Sequence, residues 1–190
     1  HTTDLYQRMF EWCDERDVNR LLTYNGAWFD GKHLLNWAQE IDATTDHDFF
    51  DRTEALFENH VDVALAAADE YADELRDNQH ILPDWKAYNL AGIDNDGVWY
   101  DNYEFPPTYL SEIDESGVQG KHIGRVLGER YVDNVTAGIE DTSGDRELTP
   151  LLEDYCRSDV ADLIELYTVL GGPTLDETYR RTPAEIDYDA

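Results

Sequence analysis

Asp30 and Asp159 are the carboxylates whose neighbours suit them to chemistry. Asp30 ends the run Leu21 to Asp30 (Leu-Leu-Thr-Tyr-Asn-Gly-Ala-Trp-Phe-Asp). That run reads as a buried strand, a tight turn at Asn25-Gly26, and an Asp in the first turn of a helix. Asp159 lies in the run Leu152 to Val160 (Leu-Glu-Asp-Tyr-Cys-Arg-Ser-Asp-Val), four residues after Tyr155. On a helix this spacing puts Tyr155 and Asp159 on one face, a turn apart. A hard divalent cation takes oxygen ligands, which an Asp at a strand end and an Asp on a packed helix can supply together. A phenol one turn from a metal-bound carboxylate can align a water for attack.

Apolar spacing defines the elements that must position these groups. A helix is expected over residues 4–16, capped by Thr3 or Asp4, with Leu5, Met9, Trp12 and Cys13 inward. The strand at 20–24 follows, then a helix over 29–41 with Leu34, Leu35, Trp37, Ala38 and Ile41 as its inner stripe. Residues 48–78 read as two further helices, through Phe49, Phe50, Thr53, Leu56 and Phe57 and then Val61, Leu65, Ala68, Ala72 and Leu75. Pro83 and the turn at Asp94 to Gly97 bracket irregular chain. Val98 to Tyr100 suits a short strand, Pro106-Pro107 is a second break, and a helix runs through Ile123, Val126, Leu127 and Tyr131. After a polar loop at Asp141 to Asp145 the last strong helix is expected over 147–170, with Leu148, Leu151, Leu152, Tyr155, Leu163, Ile164 and Tyr167 inward and a stop at Gly171-Gly-Pro173. There is no internal repeat and no low-complexity block.

The two chemistry-bearing runs resemble the second and third motifs of the 3′–5′ exonucleases built on four acidic residues, in the subclass with a Tyr before the final Asp. The pattern is closest to the proofreading domain of family-B DNA polymerases and its stand-alone relatives. The second motif, Tyr-Asn-Gly/Ile-x-x-Phe-Asp, is matched by Tyr24, Asn25, Gly26, Phe29 and Asp30, and the third, Tyr-x-x-x-Asp, by Tyr155 and Asp159. The segment from Gly120 through Tyr131 is similar to the stretch before the last helix in stand-alone members. The resemblance covers residues 4 to 171. It implies an α/β, helix-rich fold of the ribonuclease H-like type over residues 1–172, with a helical insertion at about 43–80 and an acidic tail at 173–190 that has little to bury.

The same resemblance implies two Mg²⁺ or Mn²⁺ ions hydrolysing a phosphodiester at a single-stranded 3′ end of DNA or RNA. Asp30 would hold one ion through water and Asp159 the nucleophile-activating ion. Tyr155 would orient the attacking water, and Asn25 and Phe29 would touch the terminal nucleotides, Phe29 by stacking. Simpler roles stand beside these: Asp30 as a helix cap, Asp159 as a solvated helix Asp, Asn25 as a turn residue, Tyr155 and Phe29 as core. Trp28, Trp37, Trp85 and Trp99 are expected in the core or lining it.

One departure bears on activity. The family's first motif, Asp-x-Glu in an apolar strand, should precede the second, but the Asp-x-Glu of this chain is Asp145-Arg-Glu147, after it and next to a Ser-Gly loop. That pair reads as a helix cap with an acidic first turn. The chain starts at His1 without Met, so a processed or truncated product is expected, its first motif lying upstream or in another chain, or its site being defective. The alternative function is a catalytically inactive ribonuclease H-like module for nucleic-acid binding or assembly.

Composition narrows the setting. Among 190 residues, 43 Asp and Glu oppose 14 Lys and Arg, for a formal charge of −29, spread along the whole chain. With 41% apolar and 12% aromatic residues this is not a disordered acidic tail. The pattern fits a haloarchaeal cytoplasm near molar salt, where the Debye length is ~3 Å and self-repulsion is screened. The phosphate-neutralisation part of nucleic-acid affinity is weak there, so contacts through metal ions, stacking and hydrogen bonds are expected instead. Cys13 and Cys156 read as buried free thiols, and the six His form no zinc pattern. No apolar run approaches the ~18 residues of a membrane span.

Overall fold

Strand β1 (Leu21–Thr23) and strand β2 (His60–Asp62) lie parallel, paired Leu21 to His60, Leu22 to Val61 and Thr23 to Asp62. A third strand, β3 (Arg180–Arg181), closes the other edge of β2 antiparallel, so the order is β1-β2-β3. The fold is helix-rich α/β with a small mixed sheet. The computed structural model describes residues 2–104, 110–138 and 148–183. It divides into two compact units, residues 1–93 with 163–190 and residues 94–162.

In the first unit α1 (Thr2–Glu15) precedes β1, and α2 (Asp30–Asp42) and α3 (Phe49–Phe57) carry the chain from β1 to β2. Parallel strands require such a crossover, because a hairpin cannot join them. Then follow α4 (Val63–Glu70), α5 (Asp84–Ala91), α9 (Leu163–Val169) and α10 (Asp176–Tyr179). The period-2 rule of a strand sorts the sheet's side chains. Leu22 and Val61 pack into a cluster with Ala66, Ala67, Tyr88, Leu166 and Leu175, while Leu21 packs against Ala27, Leu35 and Phe57. A further cluster joins Tyr6 and Phe10 of α1 to Ala38 and Ile41 of α2 and Phe49 of α3. There the Phe49 ring sits 5.5 Å from Tyr6 and 5.7 Å from Phe10, and such ring pairs add about 0.5–1.5 kcal/mol each beyond area burial. Tyr6 donates its hydroxyl to the Leu34 carbonyl, and burial pushes that phenol up to about 12.

The second unit holds α6 (Gly120–His122), a π-helical turn (Ile123–Leu127), α7 (Gly128–Thr136) and α8 (Leu148–Ala161). The wide π turn brings the Ile123 carbonyl so close to Gly128 that an added Cβ would lie 2.4 Å from it, so no side chain fits there. Tyr100, Leu127, Leu148 and Leu151 form the core of this unit. Tyr100 pairs its hydroxyl with His122 Nδ1 at 2.8 Å, and Tyr103 donates to Asp154 at 2.7 Å.

Several expectations are corrected. The α1 helix starts at Thr2, before either expected cap, and buries Tyr6 and Phe10 while Leu5 and Trp12 face solvent; the apolar face is turned by one position. The region expected as two helices and a helical insertion contains β2, the fully buried central strand. Val98 to Tyr100 is reduced to a single bridge between Trp99 and Gly117, running into a 3₁₀ turn. The helix expected over 147–170 is two helices, α8 and α9, parted at Asp162, and Ile164 is exposed. The segment after Gly171 is not idle. Leu175 is buried in the first unit's core and Arg180–Arg181 completes the sheet. Arg20 holds this segment down by pairing with Asp176, both also bonded to the Tyr167 hydroxyl. Cys13 is half-buried and Cys156 exposed, both free thiols. Pro106-Pro107, the loop at Asp141 to Asp145, the pair Asp145 and Glu147, and residues 184–190 of the expected tail lie outside the described residues.

Candidate functional site

The run Tyr24 to Asp30 leaves the carboxyl end of β1 and enters α2, as its sequence suggests. Tyr24 anchors the start by donating its hydroxyl to the Leu82 carbonyl at 2.9 Å; burial raises its pKa. Asn25 has a φ of 64°, in the left-handed region where Asn is among the few tolerated residues. Gly26 is required by contact, since a Cβ there would lie 2.2 Å from Thr23 Oγ1. The Asn25 carbonyl accepts from the amides of Trp28 at 3.3 Å and Phe29 at 3.1 Å, which starts the helical path before Asp30.

This geometry turns three side chains outward. Trp28 is 64% exposed and Phe29 59% exposed, and Asp30 beside them is exposed too. Phe29 is therefore not a core residue. One turn on, His33 meets the Phe29 ring edge-on at 4.9 Å between centroids, and Trp37, 45% exposed, stacks on His33 at 5.7 Å. A row of planar groups thus runs along the solvent side of α2 from the turn. All five Trp are exposed, which corrects the expectation for Trp28, Trp37, Trp85 and Trp99.

Asp62 is the residue that sequence reasoning missed. It ends β2 and is completely buried. Its Oδ1 accepts the amide of Asn25 at 2.8 Å and that of Ala64 at 3.2 Å; its Oδ2 accepts the amide of Ala27 at 3.1 Å. It therefore caps α4 and holds the turn from the neighbouring strand. The sequence carries no usable signal for it, since three residues between two helical stretches are too few to show a strand's period. Partial enclosure by the protein, and then the Asp62 charge, raise the pKa of Asp30, while His33 works the other way. Because Asp30 keeps its face to water, solvent limits that shift.

Tyr155 and Asp159 lie on α8, in the second unit, with the expected spacing. Tyr155 is half-buried and its hydroxyl lies beside Gly120, where a Cβ would come within 3.3 Å of it. Asp159 is exposed. Asn25, Phe29 and Asp30 are thus brought together in one unit, and Tyr155 and Asp159 in the other. Within the turn the oxygens of Asp62 are committed to amides, which leaves Asp30 as its one carboxylate facing solvent. Neither set by itself makes a cage for Mg²⁺ or Mn²⁺, and no group of three or more His, Cys, Asp or Glu suited to a metal ion occurs among the described residues. No helix among them is long and apolar enough to cross a membrane.

Comparison with protein-family models, curated proteins and solved structures gave no match.

Proposed function

We propose that this chain belongs to a nuclease of the 3′–5′ exonuclease type on a ribonuclease H-like scaffold, acting on single-stranded 3′ ends of DNA or RNA. The observation that carries the reading is the Tyr24 to Asp30 turn. Its outward residues are two aromatic rings and a carboxylate, and it stands at the carboxyl end of two parallel strands, where open α/β sheets place their ligands. Exposed rings stack on bases whatever their sequence, at about 1–3 kcal/mol per base. That interaction survives in molar salt, where phosphate neutralisation contributes little.

In this reading Phe29 and Trp28 receive terminal bases and Asn25 offers its amide to the sugar or base edge. Asp30 and Asp159 are the carboxylates of the reaction, and Tyr155 orients water. The reading takes Mg²⁺ or Mn²⁺ as the expected ion. A second reading, a binding module without hydrolysis, is favoured by the commitment of Asp62 to backbone amides, which leaves the turn a single carboxylate at the surface.

The test uses a 5′-labelled single-stranded oligonucleotide at molar KCl with Mn²⁺. Stepwise shortening from the 3′ end that Asp159→Asn abolishes supports the exonuclease. Binding without shortening supports the module, and neither binding nor shortening rejects both.

A further inference from the structure

We infer that β2 is the positioning element of this site: the buried Asp62 carboxylate, with His60 acting through Thr23, fixes the Asn25–Ala27 turn that presents Phe29 and Asp30. The inference rests on the nucleic-acid reading for its consequence, though not for its geometry.

Three successive amides of the turn each find a side-chain acceptor. Asn25 and Ala27 donate to Asp62 at 2.8 and 3.1 Å, and Gly26 between them donates to Thr23 Oγ1 at 3.1 Å. Thr23 Oγ1 in turn lies 2.6 Å from His60 Nε2, and the His60 ring is completely buried against Phe57, 5.0 Å between centroids. His60 and Asp62 are two apart on β2 and so point to the same side of the sheet, where β1 delivers Thr23 and the turn.

Consecutive N–H groups around a left-handed residue form a concavity that attracts anions. Here the anion is supplied from within: the Asp62 carboxylate fills the place that a substrate phosphate would otherwise take. A nucleic acid at this turn therefore meets side chains and not backbone amides. The same contacts hold Asn25 at a φ of 64°, which sets the direction in which the chain enters α2 and hence where Phe29 and Asp30 stand. Asp62 touches no solvent and reaches the site only through the amides of the turn, so it is a positioning residue and not a catalytic one.

The test compares the wild-type chain with Asp62→Asn and Thr23→Val in molar KCl. Amide hydrogen exchange is read by NMR, and binding of a 5′-fluorescein-labelled single-stranded oligothymidylate by anisotropy. Asn in place of Asp62 keeps the size but turns a donor toward one of the amides. The expected result is exchange accelerated at least tenfold at whichever of Asn25 and Ala27 faces the new donor, unchanged at Val61 and Ala38, and oligonucleotide binding weakened at least tenfold. Thr23→Val should free Gly26 alone. Unchanged exchange at Asn25 and Ala27 overturns the inference, as does freed exchange with unchanged binding. Should Asp62→Asn fail to fold, Thr23→Val decides in the same way at Gly26. A wild-type chain that binds no oligonucleotide overturns the nucleic-acid reading, and the exchange arm then decides the positioning of the turn by itself.

Discussion

Asp62 accepts the backbone amide of Asn25 across the paired ends of two parallel strands, 37 residues apart in sequence, at 2.8 Å. Through this bond a residue with no solvent contact reaches the turn that leads to the exposed Phe29 and Asp30. Its negative charge is also felt by Asp30, the carboxylate that the turn presents.

Asp30→Asn should therefore stabilise the fold. The pKa of Asp30 is raised in the native state, so the native chain binds that proton more tightly than the unfolded chain. The favourable contribution is present in acid and is lost as pH rises through the native pKa. At pH 7 the ionised carboxylate opposes folding, and replacing it removes the opposition. Thermal melting of both proteins at pH 7 and near pH 3.5 should show a higher Tm for the variant at pH 7 and a smaller gap in acid. A lower Tm at pH 7 would count against the coupling to Asp62.

Gly26→Ala should destabilise the first unit by about 1–3 kcal/mol, the usual range for forcing an extra methyl into close-packed surroundings. The added Cβ would meet Thr23 at 2.2 Å. Urea unfolding in molar KCl measures this, and a variant within 0.5 kcal/mol of wild type, roughly the spread of neutral surface changes, would mean that the turn is looser than described.

His60 should titrate below its ordinary value. Burial is the main cause, the Arg181 charge adds to it, and Asp62 opposes it. The unfolded chain therefore takes up this proton first. The stability that His60 contributes is complete above pH ~6.5 and declines as pH falls below it. NMR titration of the His60 ring in molar KCl checks the sign, and a midpoint above 6.5 would contradict it.

The formal charge of −29 leads to a salt requirement. Lowering KCl from molar to ~0.1 M lengthens the Debye screening distance from ~3 to ~10 Å and exposes the carboxylates to one another. The Tm should fall with it. A Tm independent of KCl would remove the halophilic reading.

Much of the first unit was legible in the sequence because the signal was local. The stripe Leu34, Leu35, Ala38 and Ile41 marked α2, and the apolar run before Asn25-Gly26 marked β1. What escaped depends on tertiary pairing. His60–Asp62 is three residues between two helices, too short to show a period of two, and Arg180–Arg181 is a strand only because β2 offers an edge. The break at Asp162 carries neither Gly nor Pro. The exposed Trp were misplaced because apolarity was equated with burial, a rule that holds in one direction only. Of the site, the Asn25, Phe29 and Asp30 turn was readable, whereas Asp62 was not, since its role exists only once β1 and β2 lie side by side.

The measurement that bears most directly on the account is the binding of a short 5′-fluorescein-labelled single strand, followed by anisotropy in molar KCl, for wild type, Trp28→Ala and Phe29→Ala. Loss of a stacked base at about 1–3 kcal/mol corresponds to roughly 5- to 150-fold in affinity. The account predicts saturable binding of the single strand, weaker binding of a blunt duplex, and a loss in that range for each variant. No binding by the wild-type chain, or binding that neither substitution weakens, would contradict it.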